Sequence, residues 1–167
     1  GIEAVSGWAV DDSWCRPGKL VVTRSRSHGK QLVVTPQGKP GKKLALAILH
    51  HMDLSGARSF LARITNDSSA PVRVSVAFGA APDFDMHETP AVVIKAGRKD
   101  EPVRFRLDRA HFKSARSGWK HTRPLPNGGR IDKVMLLVEG LPETGRMVFD
   151  DLRASRGGFV KVQEFNS

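Results

Sequence analysis

Tyrosine is missing from this 167-residue chain, and phenylalanine and tryptophan together supply an aromatic share of only 7%. Any ligand gripped by ring stacking has to use one of three tryptophans or eight phenylalanines. The single cysteine, Cys15, excludes an internal disulfide and leaves the redox compartment open. It reads as a small buried hydrophobe. Long apolar runs are absent too. The longest, Leu44 to Leu49, has the length of a strand and falls far short of the roughly 20 residues of a membrane-spanning helix. No G-x-S-x-G, phosphate-binding glycine loop, Rossmann glycine pattern, HExxH or zinc-finger spacing occurs. Nothing pairs a nucleophile with its base, so the expectation is a binding protein and not an enzyme.

What the chain has in plenty is positive charge. Lysine and arginine number 27 against 17 acidic residues, a formal net charge of +10. That balance attracts polyanions such as acidic glycans or nucleic acid, although the same charges also serve as a solvated surface. A hydrophobic content of 40% fits one globular domain over residues 1–167, with 156–167 as a final strand or tail. The chain opens on Gly1, which reads as a processed protein or an excised piece.

Short apolar stretches separated by turn residues recur along the chain, and no segment sustains a helical period. Strands are expected at Leu20 to Thr23, Gln31 to Thr35, Leu44 to Met52, Phe60 to Thr65, Val72 to Phe78, Ala91 to Ile94, Val103 to Leu107, Val134 to Val138 and Arg146 to Arg153. Val72, Val74, Val76 and Phe78 alternate with Arg73, Ser75 and Ala77, as a half-buried strand requires. Val103 to Leu107 repeats the pattern with Arg104 and Arg106 outward. Val134 to Val138 is apolar on both faces and suits the middle of a sheet. A short helix or turn is expected around Arg109 to Ala115. Roughly nine strands at this spacing describe an all-β antiparallel sandwich. Its core should hold Val74, Val76, Phe105, Leu107, Leu136 and Phe149.

Several segments in this order resemble one family of folds. Asp53-Leu54-Ser55-Gly56-Ala57-Arg58 is similar to the entry of a central strand in galactose-binding-like jelly rolls, and Asn66 to Ser69 to their following turn. Trp119, Ile131-Asp132-Lys133-Val134 and Val148-Phe149-Asp150-Asp151-Leu152 follow in the family's sequence of motifs, and Ile2-Glu3 with Gly7-Trp8 resembles its opening. The resemblance spans about residues 2 to 154 and implies a non-catalytic carbohydrate-binding module, part of a larger secreted, periplasmic or cell-surface protein. It also implies a structural Ca²⁺ held by Glu3 and Asp150, a hard ion on oxygen ligands. Asp150 shares strand parity with Val148 and Leu152 and is expected to point inward.

Among the loops, Arg116 to Arg123 is the strongest ligand-binding candidate. Trp119 would stack on a sugar ring, joined by Trp14, while Arg116, Lys120 and Arg123 bond to hydroxyls or anionic groups. Acidic polysaccharide is the expected ligand class. No aromatic strand motif of single-stranded nucleic-acid binders appears, so nucleic acid is not expected as partner. Asp83 to Glu88 gathers three carboxylates and a histidine, and reads as a solvated loop. The alternative to sugar binding is a structural or protein-interaction sandwich that packs on a neighbouring domain or subunit. The missing tyrosines favour it. A catalytic jelly roll of the polysaccharide-lyase kind ranks last, because it lacks the tyrosine acid/base.

Overall fold

The computed structural model describes residues 7–25, 29–38, 41–156 and 161–164, the last four as backbone. Twelve strands occur among the described residues, β1 (Trp8–Val10), β2 (Gly18–Arg24), β3 (Lys30–Pro36), β4 (Leu44–Asp53), β5 (Ser59–Asp67), β6 (Val72–Gly79), β7 (His87–Glu88), β8 (Val92–Ile94), β9 (Glu101–Arg106), β10 (Arg130–Glu139), β11 (Arg146–Ser155) and β12 (Lys161–Glu164). They form two antiparallel sheets. The first has the order β1-β4-β10-β6-β7, with β8 also on β6; the second has the order β2-β3-β11-β5-β9, with β12 on β11. All nine expected strands are present. The expected helix or turn at Arg109 to Ala115 is mostly extended chain, and a 3-10 turn begins only at Ala115.

Period-2 alternation places the core. Val72, Val74, Val76 and Phe78 of β6 are fully buried between the sheets, as are Leu136 of β10 and Phe149 of β11, while Phe105 and Leu107 are nearly so. Arg73 and Arg104, their neighbours in sequence, are exposed. Burial at roughly 25 cal/mol per Å² of apolar surface makes this alternation the main driving force of the fold. Phe60 of β5 and Phe78 of β6 meet edge to face across the sandwich with ring centroids 6.0 Å apart, and Phe78 meets Phe112 in the same way at 6.1 Å. Each contact adds about 0.5–1.5 kcal/mol beyond area burial. The β10 strand lies between β4 and β6, in keeping with its apolar character on both faces. Trp8 is buried in the core, and Cys15 packs with Ala45, Ala77, Met135 and Leu137 on the far side of the first sheet. Burial, followed by the charge of Asp11, pushes the Cys15 thiol up to about 12, so it stays protonated and inert.

Two irregularities decide where side chains point. In β4, His50 and His51 together stand opposite Asp132 of β10, because Leu49 pairs with Lys133 and Met52 with Ile131. His51 Nδ1 lies 2.7 Å from the Asp132 carboxylate. In β11 the register slips between Asp150 and Arg153, and Asp151 takes a left-handed φ of 50°. This bulge overturns the inward placement of Asp150. Leu152 enters the core only because the extra residue switches the alternation, so Asp150 stays on the outer face with half-buried Val148.

Candidate functional site

The segment from Arg109 to Arg123 is built outward from one anchor. Phe112 is fully buried against Phe78 and His111. Lys113 then exchanges two backbone hydrogen bonds with Glu88 of β7, at 2.9 Å each, and Phe112 exchanges two with Arg123, at 2.8 and 2.9 Å. The chain thereby extends the first sheet beyond β7, and the residues between form a projecting loop. Its tip turns through Ala115 to Ser117, and Gly118 and Trp119 both adopt left-handed φ of 63°. The Trp119 N–H donates to the Ser114 carbonyl at 2.9 Å, which fixes the turn, and the Trp119 ring is left 53% exposed.

Arg116 and Arg123 line a cleft of about 440 Å³ together with Asp83, Asp85 and His87. Arg116 is exposed and paired with two carboxylates. Its Nη2 lies 3.0 Å from Asp83 and its Nε 3.0 Å from Asp85, so it clamps the two loops together. The Asp83 carboxyl is held below its ordinary range first by the Asp85 N–H, then by Arg116. Arg123 is half-buried, with Nε unpartnered among the described residues. The Lys120 side chain is exposed beside Trp119. Trp14 is 46% exposed, next to Cys15, which packs on the outer face of the first sheet.

The Asp83 to Glu88 stretch is only partly the solvated loop expected. His87 and Glu88 form β7 and are buried. Glu88 accepts hydrogen bonds from Ser75 Oγ at 2.6 Å and Lys43 Nζ at 2.7 Å, an arrangement that depends on three separate strands and loops. Exposed Phe84, also at left-handed φ (53°), was not singled out by sequence reasoning. Its one legible signal is an aromatic set between two carboxylates. His121, in the projecting loop, has its pKa lowered by burial and then by Lys113, with Glu88 opposing.

Of the expected metal pair, Asp150 is described and Glu3 lies outside the described residues. The Asp150 carboxylate accepts the Ser25 hydroxyl at 2.7 Å and the Asp151 N–H at 2.8 Å. Among the described residues, no three acidic, histidine or cysteine side chains converge to complete a metal site.

Comparison with solved structures places this geometry in a known architecture. A family 11 carbohydrate-binding module from Clostridium thermocellum, in complex with a β-1,3-1,4-mixed-linked tetrasaccharide, has a TM-score of 0.59 at 12% identity, over 90% of this chain and 89% of that one. A family 28 module specific for non-crystalline cellulose gives 0.58 at 10% identity, over 89% and 87% of the two chains. An exo-β-agarase gives 0.63 at 13% identity, over 95% of this chain but 24% of the agarase. No protein-family model and no curated protein sequence matches the chain. The fold is therefore an antiparallel β-sandwich of the jelly-roll kind seen in these modules, and the likeness is one of fold. No helix among the described residues is long and apolar enough to cross a membrane.

Proposed function

We propose that this chain is a non-catalytic carbohydrate-binding module that serves a larger secreted or surface protein and engages its glycan at the Trp119 edge. The observation that carries this reading is the half-exposed Trp119 ring, held out in left-handed backbone on a loop that Phe112 anchors and Arg116 clamps. A pyranose has an apolar face that lies on an indole ring, while Lys120 and the Arg123 side of the cleft supply donors for its oxygens. The fold likeness to modules crystallised with or named for β-glucans supports the same ligand class. Affinity electrophoresis against mixed-linkage β-glucan, cellulose oligosaccharides and acidic polysaccharides tests it. Wild type should be retarded by at least one of these, and Trp119→Ala should lose that retardation. A Trp119→Ala variant that migrates like wild type in every gel removes Trp119 from the site.

One observation favours the second reading, a sandwich that packs on a neighbouring domain. Leu49, on the outer face of the first sheet, is 70% exposed, and Val93 on the same sheet is 54% exposed. Apolar surface of this kind is what a protein partner covers. We also keep the Ca²⁺ at Asp150 and Glu3 as part of the proposal. There the ion would tie the start of the chain to β11.

A further inference from the structure

Several exposed arginines have a carboxylate partner. Arg63 pairs with Asp100, Arg106 with Asp108, Arg116 with Asp83 and Asp85, and Arg146 with Asp67. At one end of the sandwich two arginines without such a partner share a cleft. Arg58 and Arg109 are exposed, and among the described residues no carboxylate lies within ion-pair distance of either. Both line a cleft of about 410 Å³, separate from the cleft beneath Arg116, formed where the β4–β5 turn, the chain after β9 and the 124–129 segment meet. Arg130 and Arg156 stand near the same end, since both act on Asp53, whose carboxyl is lowered first by Ser55 and then by these two charges.

The cleft is preformed by backbone bonds. The Leu54 N–H donates to the Gly129 carbonyl at 2.8 Å, and the Leu107 N–H to the Arg58 carbonyl at 2.8 Å. Its floor is aliphatic, from Leu54, Ala57, Leu107 and Leu125. The one carboxylate on its wall, Asp108, is held by Arg106 through two 3.0 Å hydrogen bonds, so it does not oppose an incoming anion. A volume of this order is that of a small-ligand site. Two unpaired guanidiniums over an apolar floor suit a ring that carries a carboxylate or sulfate, which arginine grips with forked hydrogen bonds. No aromatic side chain lines the cleft, so a nucleobase would lack a stacking surface.

We propose that this cleft is a second binding site, for an acidic saccharide unit whose anionic group is held by Arg58 and Arg109. The inference rests on the carbohydrate-binding reading above but uses residues apart from Trp119. The test is titration of the full chain with polygalacturonate, dextran sulfate, an oligo-dT strand and neutral mixed-linkage β-glucan, with melting curves to verify folding. Arg58→Gln/Arg109→Gln should weaken binding of polygalacturonate or dextran sulfate about tenfold or more, as expected for losing two charge-assisted hydrogen bonds. Arg24→Gln/Arg73→Gln removes the same charge from exposed positions outside the cleft and should cost about twofold or less, a screened long-range effect. Equal losses in both double variants would overturn the site in favour of diffuse attraction by the net charge. So would undiminished binding by Arg58→Gln/Arg109→Gln, or failure of wild type to hold either acidic polymer. Oligo-dT held as tightly, and weakened as much by Arg58→Gln/Arg109→Gln, would assign the cleft to nucleic acid instead. Neutral β-glucan reports on the Trp119 edge alone. Its loss in Trp119→Ala with retention in Arg58→Gln/Arg109→Gln keeps the two readings separate, so either can fail without the other.

Discussion

Bulky side chains rarely occupy left-handed backbone, because their Cβ crowds the following carbonyl at a cost of about 1–2 kcal/mol. Trp119 and Phe84 both do so here, at φ of 63° and 53°, and both keep exposed rings. Such strain persists where surrounding contacts over-determine it and gathers at functional positions. Truncation therefore separates roles. Trp119→Ala should cost about 1–3 kcal/mol of glycan affinity, by analogy with aromatic stacking on bases, while the melting temperature stays nearly constant. A core tryptophan would instead lose about 3–5 kcal/mol of stability on truncation. Measuring both quantities on one variant decides between them. A second residue-scale effect lies at His121. Its folded pKa is below the ordinary 6.5, through partial desolvation of a ring that stays largely exposed and then through Lys113, so the unfolded chain binds the extra proton more readily. Stability from this group is present above about 6.5 and is lost as pH falls through the folded value. A melting profile should begin to decline below about pH 6.5, and His121→Asn should remove that first step. Depressed carboxyls such as Asp132, lowered by the Ala81 N–H and then His51, act in the same direction at lower pH.

At the scale of elements, turns and bulges carry the fit between strands. The 126–129 segment passes through three left-handed residues, Asn127, Gly128 and Gly129. At Gly128 an added Cβ meets open space, whereas at Gly129 it would lie 2.7 Å from the Ser55 nitrogen. Gly128→Ala should cost about 1–2 kcal/mol for backbone strain alone. Gly129→Ala should cost about 1–3 kcal/mol more from overlap, and should also disturb the Leu54–Gly129 hydrogen bond that shapes the Arg58 cleft. Denaturant unfolding of the two variants checks the difference, and equal losses would mean that the Gly129 contact relaxes freely. The β11 bulge acts at the same scale. One extra residue at Asp151 turns Leu152 into the core, while Asp150 keeps its outward parity beside Ser25.

For the whole molecule, the question is what joins the chain ends and what the net charge does. A Ca²⁺ shared by Glu3 and Asp150 would fasten the first residues to β11, and a ligand bound only by the folded state adds stability by mass action. Chelation should then lower the melting temperature of wild type, and Asp150→Ala should melt at the chelated value with or without calcium. Identical curves in all four conditions would leave Asp150 as an ordinary hydrogen-bonded carboxylate, with Ser25 and the Asp151 N–H among its partners. The charge of +10 is likewise a property of the whole surface, yet its arginines are unequal. Some are paired in loops, and a few are left free around one cleft.

Most strand positions were legible in the sequence, because period-2 alternation and turn residues are local properties read within a few neighbours. The burial of Val74, Val76, Phe105, Leu136 and Phe149 followed from that pattern. The candidate site was legible only in part. Trp119 stood out as an aromatic among basic residues, but the ties of Arg116 to Asp83 and Asp85 join positions about 30 residues apart, and no local rule predicts that two loops will meet. Sheet order, set by long-range pairing, separates β1 from β7, which no local pattern contains. Asp150 turned outward because a bulge is defined by register against β5, which alternation along one strand does not contain. The amino-acid pattern by itself determined the sandwich and its core. The tertiary structure alone decided which charges are neutralised and which remain open to a ligand, since that depends on which loops the packed sheets bring within a few ångströms of each other.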